Sequence, residues 1–107
     1  MTTTWPQVTA WLSHPSWTMS VVPRVSAFYG IVIYIYWRDH EPAHFHAQYG
    51  AQEALVVIED GRLYAGSLPA RALRLVRQWR RLHVDDLERA WHAASRHEDP
   101  GTIEPLP

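Results

Sequence analysis

Three histidines and an aspartate fall within the eight residues Asp39-His40-Glu41-Pro42-Ala43-His44-Phe45-His46. His44 and His46 are two apart, so on a β-strand they leave the same face with Cβ atoms about 6–7 Å apart, a span that lets two imidazoles reach one ion. His40, across the turn at Pro42, is a candidate third ligand, leaving an open position for water as in catalytic zinc sites. Asp39 or Glu53 then stands as a fourth ligand or as an acceptor that fixes a histidine tautomer. Zinc, manganese and iron all suit such a donor set. The same residues admit metal-free chemistry, with His40, His44 and His46 as proton carriers in RNA cleavage and Tyr34, Tyr36 or Tyr49 stacking a base. They also admit a plain structural role, as hydrogen-bonded groups on a half-exposed strand.

A second concentration of chemistry lies downstream. Arg71, Arg74, Arg77 and Arg81 share one arc of a predicted helix, and no acidic residue occurs between Leu68 and Val84. Such an arc serves as a solvated face, a phosphate-binding stripe or a contact for an acidic partner.

The elements that must position these groups are legible from periodicity. Ile31 to Trp37 is β-branched and aromatic throughout and is expected to be the central strand. Ala43 to Tyr49 alternates, with His44, His46 and Gln48 on one face and Ala43, Phe45, Ala47 and Tyr49 on the other. Glu53 to Ile58 and Arg62 to Ala65 read as two further strands, separated by an Asp60-Gly61 turn. The period then changes. Ser67 is a candidate cap and Pro69 suits a first turn. Ala72, Leu75, Val76, Trp79 and Leu82 recur at helical spacing, while Leu87, Ala90, Trp91 and Ala94 mark a second helix behind an Asp85/Glu88 capping box. His83, between the helices, is a candidate cap for carbonyls at the first helix's C-terminus. His14, His92 and His97 read as surface residues. The expected fold is α+β: a small antiparallel meander of about four strands followed by two helices packed on one face.

The chain has 107 residues, enough for one domain and no more. Residues 1–22, with Trp5, Trp11 and Trp17 and no sustained period, are expected to form a loosely ordered N-terminal extension, carrying at most a short helix over 7–12. Residues 23–107 are expected to form the single domain. Ile103 and Leu106 in the C-terminal tail are candidates to pack back on it. With no Cys, disulfides, cysteine-zinc sites and thiol nucleophiles are excluded. No apolar run is long enough to cross a membrane and no basic region precedes an apolar stretch, so no membrane association is expected and the cytoplasm is the default location. The formal net charge is −1 with seven His neutral, which argues against a generic polyanion binder; full His protonation would carry it to +6.

Phe28-Tyr29-Gly30-Ile31, Asp39-His40 with Pro42, His44-Phe45-His46-Ala47, Leu68-Pro69 with Arg71-Ala72-Leu73, and Ile103-Glu104-Pro105-Leu106 together resemble the bacterial domain-of-unknown-function 4160 family from about residue 19 onward, which leaves residues 1–18 as an addition to it. The resemblance implies a two-gene layout similar to toxin–antitoxin pairs, hence a small partner protein encoded alongside; taken with the arginine arc and the histidine cluster, it leads to the expectation of a toxin-like or accessory protein that acts on or binds RNA. In that reading His40, His44 and His46 transfer protons or contact phosphate, and Arg71, Arg74, Arg77 and Arg81 hold the nucleic-acid backbone. Alternatives are a metal-binding protein or metal-dependent enzyme using His40, His44, His46 and Asp39, and a non-enzymatic interaction domain. Ala27 and Gln78 stand where the resemblance leads one to expect Arg and Glu. An amide at position 78 cannot act as a base.

Overall fold

A computed structural model describes residues 23–107. The expected extension at 1–22, with its candidate helix, lies outside the described residues, as does His14. Five strands form one antiparallel sheet in sequence order: β1 (Arg24–Phe28), β2 (Ile31–Tyr34), β3 (His44–Tyr49), β4 (Gln52–Val57) and β5 (Leu63–Gly66). Two helices follow, α1 (Ala70–Leu82) and α2 (Val84–Ser95). The architecture is α+β as expected, with one strand more. The additional strand, β1, is hidden in the sequence because its register slips between Arg24 and Ser26, burying Val25 and Ser26 in succession and erasing the alternation that marks a strand.

The Ile31–Trp37 run also departs from expectation. β2 ends at Tyr34 and lies second in the sheet, and the middle position belongs to β3. Ile35 still donates its backbone N–H to Pro23, but at Trp37–Arg38 the chain turns away, and the Arg38 amide bonds to the Ala94 carbonyl near the end of α2. A segment that reads as continuous strand is therefore part strand and part the loop that joins β2 to β3. That loop carries Asp39 to the sheet.

The apolar face is closed by α1. Trp79 is fully buried, with its ring 5.3 Å from Phe28 and 5.6 Å, edge-on, from Phe45. Its indole N–H donates to the Glu104 carbonyl at 2.8 Å, while Ile103 donates to Val25, so the tail packs back through Ile103 and Leu106. Capping differs from the sequence reading. Pro69, not Ser67, precedes α1, and the Ser67 amide instead bonds to the Glu53 carbonyl. His83, not Asp85, precedes α2, so no capping box forms there; the backbone N–H of His83 rather than its ring reaches the Arg80 carbonyl. Gly66 permits a close approach: with φ +74°, a Cβ there would lie 2.1 Å from the Glu53 carbonyl oxygen. No helix among the described residues is long and apolar enough to cross a membrane.

Candidate metal centre

Strand alternation sets the site. Phe45 points to α1, so its neighbours His44 and His46 point to the opposite face. That face is not half-exposed: His44 and His46 are 1% and 0% exposed, and their cross-strand partners Val57 and Leu55 are buried with them. The loop after β2 folds over this face and brings the Asp39 carboxylate, 1% exposed, onto both imidazoles. Tyr36 lies flat on the His46 ring, 4.1 Å between centroids and 9° between planes, and Tyr64 flanks His44 at 5.7 Å.

The hydrogen bonds orient both rings the same way. His44 Nδ1 lies 2.7 Å from the Pro42 carbonyl oxygen, which can only accept, so the nitrogen carries a proton and donates it. His46 Nδ1 likewise donates to the Glu53 carboxylate at 2.9 Å. Both Nε2 atoms therefore face inward, to a single oxygen: Asp39 Oδ2 is 3.0 Å from His44 Nε2 and 3.1 Å from His46 Nε2. The His46 contact is aligned as a hydrogen bond; the His44 contact is close but misaligned, leaving a buried nitrogen without a hydrogen-bond partner. Asp39, His44 and His46 each offer one ligand atom, all within 4.8 Å of one another.

With both rings neutral, two lone pairs and a carboxylate oxygen would confront one another in a dry site. A positive charge must sit among them, either a proton or a metal ion. Burial acts to lower the His46 pKa, but its bonds to Asp39 and Glu53, and their charges, outweigh burial and raise it above the ordinary imidazole value. Burial likewise acts to raise the Asp39 pKa, but the His44 and His46 contacts and the His40 amide hold it well below the usual carboxylate range.

His40 stands apart from this trio. Its ring is half-exposed, with Nε2 3.6 Å from Asp39 Oδ1 and Nδ1 3.1 Å from the Glu41 carbonyl. The structure thus joins His44, His46 and Asp39, gives Glu53 the tautomer-fixing role, and leaves His40 at the rim. The arginines lie elsewhere. Arg77 Nε donates to the Gly61 carbonyl at 2.9 Å, and Arg80 donates to the Ile58 and Glu59 carbonyls. Arg71, Arg74 and Arg81 are exposed and make no hydrogen bond or ion pair with the histidine cluster among the described residues. Gln78 is exposed as well. Sequence reasoning named Tyr36 as a base-stacking candidate rather than a cover for His46, and missed Tyr64 and the Pro42 carbonyl. The aromatic pattern names the tyrosines without saying what they cover, and a backbone acceptor leaves no mark in sequence.

Fold and site together define a small α+β domain with a buried two-histidine, one-carboxylate cluster. The chain belongs to the family described as Domain of unknown function (DUF4160), which it matches over residues 30–92, a span holding the whole cluster and most of both helices. No curated protein and no solved structure matches it.

Proposed function

We propose that this domain binds a divalent transition metal through His44 Nε2, His46 Nε2 and the Asp39 carboxylate. The observation that supports the reading is the double anchoring of Nδ1, by the Pro42 carbonyl and by Glu53, which turns both Nε2 atoms onto one carboxylate oxygen. Acceptors behind metal-binding imidazoles have this geometry. The two imidazoles favour zinc or iron over calcium or magnesium, and the carboxylate admits manganese as well. Three protein ligands would leave a further position on a bound ion for a water, whose acidity the ion would increase.

Metal analysis of protein purified without a His tag tests the reading. One equivalent of metal is expected, with thermal stabilisation on adding zinc, manganese or iron(II); at a hundredfold excess over Kd the gain is about 2.7 kcal/mol. Loss of both in Asp39→Asn and His46→Gln is expected. No stoichiometric metal and no stabilisation by any of the three would overturn it.

A second reading is RNA contact within a two-gene module. It draws on Arg71, Arg74 and Arg81, exposed on a helix without acidic residues. RNA binding at low salt that weakens in Arg71→Ala plus Arg74→Ala supports it, and no RNA binding or cleavage rejects it.

A further inference from the structure

Helix α1 carries five arginines and no acid, and the structure divides them into two sets. Arg77 and Arg80 bond to the carbonyls of Gly61, Ile58 and Glu59 and clamp the β4–β5 turn. Arg71, Arg74 and Arg81 have no ion pair or hydrogen bond among the described residues and are exposed. The free set has a register. Leu75 and Leu82 are seven residues apart, each directly preceded by an arginine, Arg74 and Arg81, also seven apart. Leu75 is half-buried against the core, whereas Leu82 is 60% exposed, the most exposed of the large apolar side chains among the described residues. Arg71 and Gln78 complete the stripe, one turn before each leucine.

Leucines at heptad spacing with a like-charged residue beside each is the pattern of a helix that pairs with another helix, the charges choosing the partner. We infer that this stripe of α1 docks an amphipathic helix of a protein partner, with leucines facing Leu75 and Leu82 and Glu or Asp facing Arg74 and Arg81. A second copy of the chain would set arginine against arginine. RNA fits the arginines but leaves Leu82 without a role, and a formal net charge of −1 gives the chain no broad positive field to attract it. The inference is independent of the metal reading, because the stripe shares no residue with the histidine cluster.

A synthetic acidic peptide of about three heptads, with leucine at the two core positions and glutamate flanking them, is a suitable probe, since its own glutamates oppose self-pairing. Its binding to the full chain is followed by fluorescence anisotropy at physiological salt, with metal-loaded and metal-free protein. Saturable binding is expected in both, weakened about tenfold or more in Arg74→Glu plus Arg81→Glu, and weakened also in Leu82→Ser, with circular dichroism unchanged. Three outcomes overturn the inference: no peptide binding; a uridine oligonucleotide that binds more tightly than the peptide and is indifferent to Leu82→Ser; or sedimentation showing a homodimer that Leu82→Ser dissolves.

Discussion

Neighbouring residues of β3 are buried in opposite ways. Phe45 and Ala47 enter a face closed by Trp79, Val76 and Ala72 of α1, where apolar contact and dispersion supply the stabilisation. His44 and His46 enter the other face, equally dry, where a loop carboxylate, a strand carboxylate and a backbone carbonyl satisfy three of four ring nitrogens. The first face is a packing solution that tolerates many apolar sequences. The second needs particular atoms at particular positions and leaves one nitrogen short of a partner.

The contrast can be broken from either side. Trp79→Ala is expected to give the largest stability loss, about 3–5 kcal/mol in urea unfolding, because it opens a cavity beneath Phe28 and Phe45 and frees the tail. If the faces are separate, its folded fraction still binds metal. Asp39→Asn in metal-free protein is expected to cost about 1–3 kcal/mol, the penalty of leaving buried ring nitrogens poorly matched, while abolishing metal binding. Equal loss of metal binding in both variants would show that the two faces act as one unit.

Acidity gives a smaller and more selective effect. Asp39 is held below its ordinary 3.8, so its contribution to stability is present above that pH and is lost as pH falls through the lowered value. His46 is raised above 6.5, so its contribution is present below that pH and is lost as pH rises through the raised value. Metal-free protein should therefore draw most from the cluster between about 4 and 6.5. In urea midpoints measured across pH, Asp39→Asn should flatten this maximum and Phe45→Leu should leave it unchanged. A metal competes with the proton, so loaded protein should shift its maximum to higher pH. The smallest effect is expected for Arg74→Ala, within the ~0.5 kcal/mol scatter of surface substitutions, and its metal binding should match that of the unaltered chain.

Four of the five strands and both helices were legible because alternation and the 3.6-residue period survive wherever a face is uniformly covered. β1 was not, since a bulge there buries two consecutive residues. Nor was the end of β2, where the residue types continue to favour strand but the chain is pulled away by the Arg38 bond to Ala94. Within the site, the Asp39-to-His46 segment and Glu53 were visible as candidates. The histidine burial, the Tyr36 stack and the exclusion of His40 from the trio were not, because each depends on where a loop lies over a sheet.

The sequence by itself determined which groups could do chemistry and, through a period of two, that His44 and His46 share a face away from Phe45. It also set five arginines on an acid-free helix. The tertiary structure decided which of those groups meet. Asp39 reaches the histidines by the path of the β2–β3 loop, whose first residues read as strand, Glu53 by cross-strand register, and two of the five arginines are drawn to carbonyls of a turn distant in sequence. Spacing along one element is local and readable; convergence between elements depends on loop paths and registers fixed only when the whole core packs.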